Sequence, residues 1–200
     1  MRRSIAAVLC VSAAILFLGA SVASAGEAEK VANPAYKAWS GHKVGTVAKL
    51  EAKVTTKGEA AKLMPQATMT INMTSKLIEL TPDKAVVEIT MTMPGMGDMP
   101  GRKNEIPAKI DSDKADETAL IQDPTMQGTA TDIKKGDEEI TVIDKKLKCH
   151  WFSATMKQGG REMNTKVWTY PDVPGNVVQM EARSDQVDMD LKLTGYEEGK

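Results

Sequence analysis

ATMTINMTSKL (residues 67–77) and AVVEITMTM (85–93), with TPDK (81–84) between them, decide the fold. In the first stretch Ala67, Met69, Ile71, Met73 and Leu77 alternate with Thr, Asn and Lys. In the second, Val87, Ile89, Met91 and Met93 take every other position. A period of two places one set on one face of a strand and the other set on the opposite face. Pro82 and Asp83 supply the turn, Pro by fixing φ and Asp by bonding to its own backbone. The two stretches therefore form an antiparallel hairpin with one apolar, methionine-bearing face.

The same period returns downstream in EEITVID (138–144), KLKCHWFSATMK (146–157), EMNTKVWTY (162–170), NVVQMEARS (176–184) and QVDMDLKLTGY (186–196). The separators DK, QGG, PDVPG and SD are turn chemistry at close spacing. Such a series predicts a mainly β fold, a single curved antiparallel sheet or half-barrel. NPAYKAWSGHKVG (33–45) adds a short N-terminal helical turn, with Asn33 capping and Pro34 at the first helical position. Residues 111–136 are polar and lack a clean period; they are expected to form a long excursion with at most one minor helix, around 114–121.

The N-terminus carries Arg2 and Arg3, an apolar run from Ile5 to Leu18, and Ala23-Ser24-Ala25. This is the pattern of a secretory signal peptide cleaved after Ala25, and the run is short for a transmembrane anchor. Leu9 before Cys10 does not suit lipidation. The expected organisation is a signal peptide (1–25), a polar leader (26–33) and one β-rich domain (34–197), exported to the periplasm or beyond. Cleavage leaves 24 basic against 27 acidic residues, without a basic stripe. Nucleic acid and anionic membrane surfaces, which need clustered Lys and Arg, are poor partners. Cys149 alone remains, so no intramolecular disulfide forms.

In KLKCHWFSATM both alternating sets contain apolar residues: Leu147, Cys149 and Trp151 on one face, Phe152, Ala154 and Met156 on the other. A strand with one wet face alternates more cleanly, so a second layer or a ligand is expected to cover the other face. Trp168 and Tyr170 share one face of KVWTY. GDEEITVIDKKLKCHWFS (136–153) and KVWTYPDVPGNVVQMEA (166–182) resemble the C-terminal half of uncharacterised exported bacterial proteins built as curved antiparallel sheets. The layout is also similar to that of the LolA-like periplasmic lipoprotein carriers. That resemblance, over residues 136–183, implies a half-barrel around an apolar cavity under a lid. It transfers no site residue.

Candidate chemistry is sparse. Cys149 and His150 are adjacent on a strand and point to opposite faces, which prevents a dyad; Cys149 fits a small buried hydrophobe. His42 is the other histidine, too few for a histidine-based zinc site. DSDKADETALIQ (111–122) has Asp111 and Asp113 but lacks the glycine and closing glutamate of a calcium loop. Gly95, Gly97 and Gly101 precede no P-loop lysine. No cofactor and no enzymatic activity is expected.

MTMPGMGDMP (91–100) presents Met91, Met93, Met96 and Met99, thioethers soft enough for Cu(I). Met91 and Met93 continue the strand face, whereas Met96 and Met99 fall on a loop. The leading expectation is an exported, non-enzymatic binding or carrier protein holding a lipid or other apolar ligand against the concave sheet face. Trp151, Phe152, Trp168, Met96 and Met99 are its candidate contacts. The alternatives are a periplasmic Cu(I)-binding protein using Met91, Met93, Met96 and Met99, and a structural or interaction module of the cell envelope.

Overall fold

The structure, a computed structural model, describes residues 29–63, 68–93, 95, 97–112, 129–158 and 161–200. The expected signal peptide, the helix at 114–121 and Met96 lie outside the described residues.

The elements follow in the order β1 (Lys30–Ala32), α1 (Pro34–Ser40), β2 (Val47–Thr56), α2 (Gly58–Leu63), β3 (Thr68–Leu80), β4 (Lys84–Met93), β5 (Gly97–Pro107) and β6 (Lys109–Asp111), then β7 (Thr129–Val142), β8 (Lys145–Gln158), β9 (Arg161–Thr169), β10 (Val177–Arg183) and β11 (Val187–Glu197). Nine strands form one antiparallel sheet in the order β5-β4-β3-β2-β11-β10-β9-β8-β7, and β1 pairs with β6 in a separate ribbon. Two meanders are thus joined where β2 meets β11. The sheet is open, with β5 and β7 at its edges. It curls strongly: β7 stands four places from β11, about 19 Å in a flat sheet, yet parts of the two approach within 8 Å.

The hairpin of β3 and β4 forms as expected, and its register sets Met73 opposite Met91 and Leu77 opposite Val87. β1, β2, β5 and β6 are additions to the strands expected from sequence, β1 lying within the expected polar leader. β2 alternates Ala48, Leu50 and Ala52 with Lys49, Glu51 and Lys53, but alanine carries a weak apolar signal. β5 is an edge strand with Pro100 and Pro107 and mostly exposed side chains, as edge strands tolerate. β7 starts at Thr129, so the last part of the expected excursion is strand. α2, a single short helix, was not signalled by the sequence pattern.

α1 closes one end of the sheet. Asn33 caps it, its Oδ1 accepting from the Ala35 amide at 2.9 Å while its Nδ2 donates to the Pro107 carbonyl at 2.8 Å. Tyr36 donates its hydroxyl to the Thr81 carbonyl at 2.7 Å. The Gly175 amide donates to the Ala38 carbonyl. Gly175 has φ +78, and a Cβ there would stand 3.1 Å from the Trp39 ring, so the turn needs glycine twice over. Trp39 enters a core shared with Leu77, Val87, Ile106, Cys149, Trp168, Val178 and Leu193.

Candidate functional site

The registers assign every strand residue to a face. One row runs Leu193–Leu50–Met73–Met91–Met99 across β11, β2, β3, β4 and β5. The next runs Phe152–Val167–Met180–Leu191–Ala52–Ile71 from β8 to β3. A third, parallel to it, is Ala154–Thr165–Ala182–Met189–Val54–Met69, and Met156 faces Met163 beyond it. Met93 lies two residues from Met91 on the same face. All nine methionines of the described strands therefore share one face. Met93 and Met156 are buried and the other seven half-buried.

None of these methionines belongs to the core under α1, which is built from Leu, Val, Ile, Ala, Trp and Cys. Six strands carry the second and third rows, a width of about 24 Å at ordinary strand spacing. Thr165 is the one hydroxyl within those two rows. It is buried, flanked by Ala154 and Ala182, and its Oγ1 has no hydrogen-bond partner. Leaving such a hydroxyl unpaired costs about 1–3 kcal/mol.

The opposite face is largely polar but buries Cys149 and Trp168. Near the middle of β8 and β9, Trp151 stands across from Trp168, and the Lys166 ammonium lies 4.5 and 4.3 Å from their ring centroids. Glu138 of β7 accepts from Lys166 Nζ at 2.8 Å and from Trp168 Nε1 at 2.9 Å. The lysine hydrogen bond, then the indole one, holds the Glu138 carboxyl below the ordinary glutamate range. Gly136 faces Trp151, whose ring covers the place where a Cβ would sit. Below this cluster a cleft of about 300 Å³ is lined by Lys134, Ser153, Thr165, Lys166, Glu181 and Arg183, among others. Two of its cations are paired, Arg183 with Asp190 and Glu181 and Lys166 with Glu138.

The sequence candidates are therefore divided between two faces. Trp151 and Trp168 come together, whereas Phe152 points to the methionine face, opposite Val167. Met91 and Met99 are cross-strand partners, and Met99 is on β5 rather than a loop. Met180 and Met189 join the apolar face through pairings that no local pattern displays, and the register sets Met73 opposite Met91. Along β8 burial changes sides: Cys149 is fully buried in the core, whereas Phe152, Ala154 and Met156 are buried on the other face. Burial, and then the nearby Glu138 carboxylate, push the Cys149 thiol upward, away from the reactive thiolate. His150 lies on the far face from Cys149 and bonds Asp137 at 2.8 Å.

Among the described residues no group of three or more His, Cys, Asp or Glu is arranged to hold a metal, and no helix is long and apolar enough to cross a membrane. No protein-family model matches the chain, and no curated protein matches it. Two solved structures are similar in fold. One is a Bacteroides fragilis protein described as exported and YmcC-like in fold, 9% identical, with a TM-score of 0.48 over 78% of this chain and 97% of that one. The other is a Parabacteroides distasonis protein described as a lipoprotein, 12% identical, with a TM-score of 0.49 over 78% of this chain and 96% of that one.

Proposed function

We propose that the chain is an exported binding or carrier protein that holds an amphipathic, lipid-like ligand against the methionine face of the sheet. The observation that carries this reading is the segregation of all nine strand methionines onto one face and out of the core under α1. A core that must adopt one packing favours side chains of fixed shape. Methionine, with its flexible thioether, suits a surface that repacks around a variable partner. An acyl chain half a bilayer long, about 15 Å, fits within the width of the face. The unpaired Thr165 hydroxyl supports a ligand with a polar group as well as an apolar one.

Native mass spectrometry of the protein purified from the compartment it is exported to tests this. A co-purifying lipid is expected, and the double change Met180→Glu with Met189→Glu should abolish its retention. Lys53→Gln, on the opposite face, should not. Retention unaffected by the Met180 and Met189 changes would overturn the assignment of the face. A photoactivatable acyl chain is expected to label Phe152 and Met180 in preference to Trp151 and Trp168.

A further inference from the structure

We propose that Met73, Met91 and Met99 form a three-thioether site for a soft monovalent cation, Cu(I), at the β5 edge of the sheet. The registers set this juxtaposition directly: Met73 of β3 faces Met91 of β4, and Met91 faces Met99 of β5. The three stand on neighbouring strands in one row, so the outer two are about 10 Å apart with Met91 midway. Methionine has three rotatable bonds, and three such arms anchored at that spacing can converge on one ion above the central strand. All three are half-buried, and β5 is an edge strand, so the row is open to solvent at one end. On the other side Leu50 and Leu193 continue the row and keep it dry.

The chemistry selects the metal. Thioethers are soft and uncharged, and favour Cu(I) over Zn(II), Cu(II) and the hard divalent cations. No Cys or His occurs in this row; Asp98, next to Met99 along β5, belongs to the opposite face, and Arg102, opposite Ile89, is exposed and lies beyond a bulge. The close approach of Met91 and Met99 depends on the tight reversal between them, where Gly95 and Gly97 have φ +83 and +76. Met93, buried beside Met91, is placed to stiffen the site from the same face. The sequence motif alone points to Met96 as a ligand. The registers bring in Met73, 18 residues before Met91.

Anaerobic titration of the full-length mature chain with Cu(I) against a chromogenic chelator, with ascorbate present, tests the site. The expected result is one Cu(I) per chain, a sulfur-only shell by X-ray absorption, and a rise in melting temperature on loading. Met73→Leu, Met91→Leu and Met99→Leu keep volume and burial. Each is expected to weaken binding at least tenfold, and the triple variant to abolish it while still melting cooperatively. Met96→Leu and Cys149→Ser should bind as wild type. Failure of wild type to compete with the chelator, equal binding by the triple variant, or loss of binding on changing Met96 or Cys149 would each overturn the assignment.

Discussion

Gly136→Ala should destabilise the protein through a single contact. A Cβ at residue 136 would stand 2.9 Å from Cε2 and Cζ2 of Trp151 and 3.0 Å from its Nε1, against a comfortable carbon–carbon distance of about 3.5–4.0 Å. The backbone of Gly136 is not left-handed, so the penalty is steric rather than conformational. Overpacking of this kind costs about 1–3 kcal/mol, and the strand recovers about 0.5–1 kcal/mol by losing a glycine. The net loss is up to about 2.5 kcal/mol, centred on about 1, equivalent to a fall in melting temperature of about 2–4 °C per kcal/mol for a domain of this size. The ring must shift off Gly136, and the Lys166 ammonium stands 4.5 Å from its centroid, so tryptophan emission should shift with the melting point. Thermal unfolding by circular dichroism, with fluorescence alongside, reads both. The decisive measurement is the double-mutant cycle with Trp151→Ala, because removing the ring removes the clash. Gly136→Ala that costs as much in that background as in wild type, or that stabilises the wild type, would refute the reasoning. Gly195→Ala, with nothing within 4 Å, is the clash-free control and should not destabilise.

The C-terminal tail gives a second steric test: a Cβ at Gly199 would stand 2.2 Å from the Val44 carbonyl oxygen, and backbone cannot yield. Gly199→Ala should release the tail, break the Gly199 amide bond to Thr46 Oγ1, and cost about 1 kcal/mol, visible as faster carboxypeptidase trimming. Acid titration probes the carboxylates. Glu138 is held below its ordinary 4.5 by Lys166 first and Trp168 second, Glu197 by Lys49, and Glu198 by His42 first. Each has a depressed folded-state value, so its contribution is fully present above pH 4.5 and lost as the pH falls through that lowered value. Melting temperature should be level above that pH and drop below it, and Glu138→Gln should make the drop shallower. An acid limb identical in wild type and Glu138→Gln would remove Glu138 from the account.

Period-two alternation made most of the sheet legible, because β3, β4 and β8 to β11 carry large side chains that mark it. β2 escaped because Ala48 and Ala52 are small: they leave room at the centre of a curled sheet, and small residues signal burial weakly. β5 escaped because an edge strand need not bury side chains to be held by its ladder. The site was harder to read. Strand pairing places Met73 beside Met91 and Met180 beside Val167, and long-range register is not written in any local window. Phe152 and Trp151 are neighbours in sequence and looked like one aromatic cluster. Alternation separates them, and the partners of each, Val167 and Trp168, show which face is apolar and which carries the lysine between its rings.

Copper alone does not account for the methionine face. Met156, Met163, Met180 and Met189 stand on β8 to β11, and β10 is four places from β4, about 19 Å along a flat sheet. No single ion reaches both groups. An apolar ligand alone leaves the other end unexplained, since contact with a hydrocarbon does not require three thioethers in one row across three adjacent strands. The two proposals thus assign different ends of one face, and they make a joint prediction. Loading Cu(I) at Met73, Met91 and Met99 should change lipid retention less than twofold, because sites more than about 10 Å apart with no shared partner behave additively. Native mass spectrometry should then show a species carrying both metal and lipid. Strict exclusion, with each mass appearing without the other, would mean that the face holds one occupant at a time and that one of the two assignments must be withdrawn.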